Sequence, residues 1–136
     1  MEQAVNVVER ALGWFNDVMT QEGREITRED VERRFTADAK MIANGQVKCA
    51  GIDAHLNHFR ELQAKFVSFR IRLPLELSLS TSDGAAGYYL IDFATKDGAK
   101  GIIHDSAIWK IRDEKLLLMV ETVHFEGVTV ELENHS

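Results

Sequence analysis

The feature that most limits how this chain can fold is a change of hydrophobic period near Phe66: apolar residues recur every three or four positions before it and alternate after it. In the first part, Val5, Val8, Leu12, Phe15 and Val18 or Met19 form one helical stripe from Glu2 to about Gln21, which Gly23 ends. Thr27, with Asp30 three residues on, is a helix N-cap, and a second, shorter helix follows with Val31 and Phe35 as its buried face. The interleaved apolar and polar residues of Asp38 to Val47 predict a short strand and a turn at Asn44-Gly45. Ile52, Leu56 and Phe59 then place a third helix from Ile52 to Phe66. Beyond it, Phe69, Ile71, Leu73, Leu75, Leu77 and Leu79 alternate with mostly polar neighbours in a long strand, in which Pro74 demands an edge, a bulge or a bend. Asp83-Gly84, Asp97-Gly98 and Asp113-Glu114 turn the chain into three more strands, Tyr88 to Thr95, Gly101 to Ile111 and Lys115 to Phe125, giving a four-stranded meander. The tail Asn134-His135-Ser136 is expected to fray.

Helices first and hairpin-linked strands second is the order of an α+β domain, with helices packed on one face of an antiparallel sheet. The 136 residues fit one domain, 1–136, and an apolar fraction of 45% is enough for a true core. A formal charge of -6 is the wrong sign for neutralising phosphates, so no nucleic acid partner is expected. Cys49 is the single cysteine, and no basic-then-apolar leader or long apolar run is present; the expectation is a cytoplasmic protein with no membrane partner. Gly84, Gly87, Gly98 and Gly101 fall in hairpin regions and make no phosphate loop, so no cofactor is expected. Long strands bent at Pro74 curl, and a curled sheet with helices across its concave face encloses a pocket.

Three segments carry a family resemblance. Phe35-Thr36-Ala37-Asp38-Ala39 is similar to an "F-A-D-D-A" stretch after a second helix. Gly51-Ile52-Asp53-Ala54 with His58-Phe59 resembles "G-x-x-A-I-x-x-F" at the start of a long helix, and Trp109 to Leu116 resembles "F-x-F-x-D-G-K-I" at a last hairpin, with Glu114 in place of the glycine. Together with the order of elements, these resemble the nuclear transport factor 2-like (NTF2-like) superfamily, in particular its SnoaL-like and ketosteroid-isomerase-like branches. The resemblance implies a cone-shaped domain of three N-terminal helices on a curved mixed or antiparallel sheet. In ketosteroid isomerases the base is an Asp in the strand after "F-A-D-D-A"; here that position is Ala43, which disfavours steroid isomerisation by that mechanism. In SnoaL-like cyclases the acidic base stands ten positions beyond the glycine that Glu114 replaces, and here that position is His124.

The last hairpin places these residues. With Asp113-Glu114 as a two-residue turn, Trp109 faces Leu118, Ala107 faces Val120, Asp105 faces Thr122 and Ile103 faces His124. Asp105 and His124 then lie diagonally on the apolar interior face, a carboxylate and an imidazole able to titrate as a pair and move a proton. His104, Ser106 and Glu121 fall on the opposite face, where Ile108, Met119 and Val123 offer a surface for a second subunit. His55 and His58 stand at helical spacing with no third ligand in view, so no metal site is expected, and Cys49 reads as a small core residue. The expected pocket wall is Trp14, Phe35, Phe59, Tyr89 and Trp109, around a small, largely apolar organic ligand. Two functions fit: cofactor-free proton transfer of the isomerase, cyclase or dehydratase kind, with His124 as base and Asp105 orienting or protonating, or a non-catalytic binding or assembly module, in either case a homodimer through the sheet.

Overall fold

The computed structural model describes residues 2–20 and 24–127. Helix α1 (Ala4–Thr20) buries Val8, Leu12, Phe15 and Val18 as its spacing requires, together with Trp14, which widens the apolar stripe by one row. The expected stop at Gly23 and the tail Asn134-His135-Ser136 lie outside the described residues. Helix α2 (Arg28–Glu32) starts in a capping box: the Asp30 N–H donates to Thr27 Oγ1 at 3.1 Å, and the Thr27 N–H donates to Asp30 Oδ2 at 3.0 Å. Phe35 is buried, but it opens strand β1 (Phe35–Ala43) rather than closing α2. Asn44 and Gly45, both at positive φ, turn β1 into β2 (Gln46–Ala50). Gly51, at φ +87°, leads into α3 (Ile52–Lys65).

The helices therefore do not form one leading block, because the β1–β2 hairpin separates α3 from the other two. The long strand expected from Phe66 onward is likewise broken into β3 (Phe66–Ile71) and β4 (Leu77–Ser80), with Pro74 in the gap. Strands β5 (Gly84–Thr95), β6 (Lys100–Arg112) and β7 (Lys115–Glu126) follow. The seven strands make one curved, unclosed sheet in the order β2-β1-β7-β6-β5-β3, with β4 also on β5 and all pairings antiparallel except β1 with β7.

Polar side chains tie the helices to one face of this sheet. Asn16 on α1 closes two bonds with Ile71, donating to its carbonyl at 2.8 Å and accepting from its N–H at 2.7 Å. Glu9 accepts from the Leu75 N–H at 3.0 Å, and Gln63 on α3 donates to the Val18 carbonyl at 3.1 Å. Between these layers lies an aromatic core in which Phe59 meets Phe15, Phe35 and Trp14 at ring separations of 5.2, 5.6 and 6.0 Å. Cys49 is buried and its thiol is pushed up to about 11 by burial, an inert core group. Among the described residues no helix is long and apolar enough to cross a membrane.

Candidate functional site

The polar part of the interior is set by the register of β6 against β7. Asp113 and Glu114 both take positive φ, so the two-residue turn forms, and Arg112 pairs with Lys115 and Ile111 with Leu116. One step further the pairing slips: Lys110 faces Leu118, and Leu117 is the extra residue of a β-bulge. Because side chains alternate, that single residue inverts every later position of β7 relative to β6. Trp109 now faces Met119, Ala107 faces Glu121 and Asp105 faces Val123, while His104 faces His124.

The expected pairing of Asp105 with His124 is therefore corrected. Asp105 is on the inner face and only 2% exposed, whereas His124 is exposed on the outer face beside His104, with ring centroids 6.0 Å apart. Glu121, expected outside with His104 and Ser106, is inside, and so are Met119 and Val123. The outer Ser-His-Glu grouping accordingly does not form. His104 instead lies between the Tyr88 hydroxyl, 2.6 Å from Nδ1, and the Glu126 carboxylate, 2.5 Å from Nε2.

A cavity of about 110 Å³ sits between helices and sheet. Trp14, Phe35, Phe59, Tyr89 and Trp109, the five expected wall residues, all line it, as do Asp105, Glu121 and His58. The Tyr89 hydroxyl donates to Asp105 Oδ2 at 2.8 Å, and the Tyr89 ring stacks on Trp109 at 6.0 Å. Burial raises the Asp105 carboxyl to about 9, and the neighbouring Glu121 carboxyl pushes the same way by hydrogen bonding and by charge, against the smaller opposing effect of the Tyr89 hydroxyl. Asp105 is thus a neutral carboxylic acid at neutral pH, able to donate. Burial also raises the Tyr89 phenol well above its usual value, so it stays protonated.

Three buried polar atoms meet no hydrogen-bond partner of ordinary geometry among the described residues: Asp105 Oδ1, Trp14 Nε1 and Trp109 Nε1. All three belong to side chains of the cavity wall. Unpaired groups at such depth are costly unless something comes to meet them, and the three side chains that carry them all belong to this wall. His58 adds a fourth polar group; burial, then the Lys48 charge, lowers it to about 4, leaving a neutral imidazole. The sequence carried no signal for His58 beyond helical spacing, which it shares with His55. That second histidine turns away into the core, with Nδ1 2.7 Å from the Gly51 carbonyl and its ring on Phe35. Ala43, at the end of β1, stands beside Glu121 in the parallel pairing, so a carboxylate does approach that corner from the neighbouring strand.

No protein-family model and no curated protein matches the sequence. Solved structures do match in fold. A SnoaL-like polyketide cyclase from Agrobacterium tumefaciens superimposes over 99% of this chain and 98% of its own, with a TM-score of 0.71 and 12% identity. An NTF2-like protein from Anabaena variabilis covers 91% of each chain at a TM-score of 0.70 and 12% identity. An NTF2-like protein of unknown function from Exiguobacterium covers 87% of this chain and 98% of its own, at 0.68 and 19%. The chain has the NTF2-like fold. Within that fold it is similar to SnoaL-like structures over nearly its whole length, at identities that speak for architecture and not for activity.

Proposed function

We propose that this protein binds a small, largely apolar organic molecule bearing a carbonyl group and catalyses a cofactor-free proton transfer on it, of the isomerase, cyclase or dehydratase kind. The observation that carries the reading is a neutral Asp105 held between Tyr89 and Glu121 in an apolar cavity. The fold shared with a protein described as a SnoaL-like polyketide cyclase is compatible with this class of reaction. Glu121 takes the role first expected of His124: its carboxylate removes a proton from the carbon next to the carbonyl. The C–H electron pair becomes the new C=C bond, and the carbonyl π pair moves onto oxygen. Asp105, held by Tyr89, donates its proton to that oxygen as the charge develops. Return of the Glu121 proton to carbon, with Asp105 recovering its own, completes an isomerisation without net change in atoms. A cavity of about 110 Å³ suits one ring or a short chain, well below the ~300–1,000 Å³ of drug-sized sites.

The outer face supports the expected homodimer as a second element of this reading. Leu77 and Leu79 on β4 and Ile108 on β6, on either side of β5, are 70%, 78% and 57% exposed, a patch apolar enough to take a second copy. One buried thiol and no disulfide suit a reducing compartment such as the cytoplasm.

Exchange of the α-protons of cyclohexanone into D2O, followed by proton NMR, tests the chemistry without knowledge of the natural substrate. The wild type is expected to accelerate exchange, Glu121→Gln to slow it by about 10²–10⁴-fold, and His124→Ala to leave it unchanged. Full activity in Glu121→Gln would sink the assignment, and loss in His124→Ala would restore the histidine.

A further inference from the structure

A second concavity, of about 810 Å³, lies on the surface next to the cavity. Its lining differs from the rest of this acidic molecule: Arg10 on α1, Arg24, and Arg33 and Arg34 just after α2 surround it, with Asp17 and Glu114 as its only carboxylates among the described residues. Four guanidinium groups line the groove against two acids, in a chain of net charge -6; Arg10 is engaged by Glu2, which leaves the Arg33–Arg34 end as the positive one. Its floor is apolar, made by Val7, Ala11 and Trp14.

Arg34 is the informative residue. It is half-buried, its Nη1 donates to the Asp30 carbonyl at 2.9 Å, and its guanidinium lies over the Trp14 ring at 4.4 Å from the centroid. It forms no ion pair with a carboxylate among the described residues. Burial lowers its affinity for its proton, and the charges of Arg33 and Arg24 act in the same direction, opposed by Asp30. Arg33, 67% exposed in its side chain, reaches Glu29 and Asp30 only at 3.8 Å. A half-buried cation beside like charges, with Arg33 held only by long contacts, is an arrangement that an incoming anion relieves.

Ala11 and Trp14 line both this groove and the inner cavity, so the indole that carries Arg34 is also a wall of the site assigned to the carbonyl ligand. We propose that the groove is an anion subsite, that it holds the carboxylate of an organic acid through Arg33 and Arg34, and that the apolar body of the same ligand passes Trp14 into the cavity. This rests on the cavity being the ligand site and goes beyond it by naming the ligand as an anion. Guanidinium forks match carboxylates bidentately, and the apolar floor suits the chain that joins such a group to a ring.

The test uses 3-phenylpropanoate and its uncharged amide, 3-phenylpropanamide, in calorimetric titrations at low and high salt. The acid is expected to bind about tenfold more tightly than the amide at low salt and to lose that advantage at high salt. Arg33→Glu, a change at an exposed side chain, and Arg34→Gln should each weaken the acid about tenfold and leave the amide unchanged; thermal melts establish that both variants are folded. Leu62→Trp, which fills the cavity, should weaken both ligands. Equal affinity for acid and amide, or an acid affinity indifferent to Arg33→Glu, would overturn the proposal. So would binding of inorganic phosphate with none of 3-phenylpropanoate, since the groove would then serve a simple anion. Acid binding that survives Leu62→Trp would overturn the link to the cavity. None of these results depends on Glu121, so a failed proton-transfer test and a failed anion subsite remain distinguishable.

Discussion

The two faces of the β6–β7 ribbon carry similar chemistry in opposite surroundings. Inside, Asp105, Tyr89 and Glu121 gather beside Trp109; outside, His104 and Tyr88, one position along β6 and β5, gather with the exposed His124 and Glu126 of β7. Both sets place a tyrosine hydroxyl on a titratable partner across β5 and β6, Tyr89 on Asp105 at 2.8 Å and Tyr88 on His104 at 2.6 Å. The effect on charge is opposite. Burial drives Asp105 to about 9 and so to its neutral form, while the hydrogen bond from His104 holds the fully exposed Glu126 carboxyl below its usual range. Desolvation is thus the agent that turns a common set of side chains into a candidate acid–base pair, and it is supplied by the sheet face and not by residue type.

The comparison breaks most readily at its inner wall. Trp109 is 1% exposed and stacks on Tyr89, so Trp109→Ala should cost about 3–5 kcal/mol in urea unfolding. A cost near that of a surface change would mean that the inner face is not the packed one. Asp105→Asn sharpens the electrostatic half. The folded protein keeps the Asp105 proton up to about 9, whereas the unfolded chain releases it near 3.8. Between those values the folded state holds the extra proton, so stability falls as pH rises, by at most about 1.4 kcal/mol per pH unit. The penalty is absent below the lower value and complete above the upper one. Asparagine has no proton to lose, and the variant should flatten this slope while accepting the Tyr89 hydroxyl as before; an unchanged slope would place the titration elsewhere. The smallest effect belongs to the outer face, where Ile108→Lys should change stability by no more than about 0.5 kcal/mol per folded chain. It should nonetheless convert the proposed dimer to monomer in sedimentation. A species whose mass is insensitive to that charge would leave the patch without its second copy.

Much of the fold was legible in the order of residues because its signals are local. The capping box of Thr27 and Asp30, the positive-φ turn at Asn44-Gly45 and the stripe of α1 each act within a few positions, and each appears where its residues stand. The aromatic wall was legible for a related reason: Trp14, Phe35, Phe59, Tyr89 and Trp109 are large apolar groups, and the helix–sheet interior is where such groups are buried. The break at Pro74 was visible as a break, though not as the end of one strand and the start of another.

What the sequence determined by itself was the three helices, the three C-terminal strands, most of the turns and the apolar identity of the cavity wall, all of which follow from period, caps and turn residues. Which carboxylate meets Asp105 was decided only by the tertiary structure. Lys115-Leu116-Leu117-Leu118-Met119 is apolar at nearly every step, so either parity of β7 buries hydrophobic side chains and the local pattern does not choose between them. The choice falls to packing across the whole sheet, where β7 must satisfy β6 on one side and the parallel β1 on the other, and the bulge at Leu117 is the registry in which it does so. That one inserted residue turns Glu121 inward and His124 out to water.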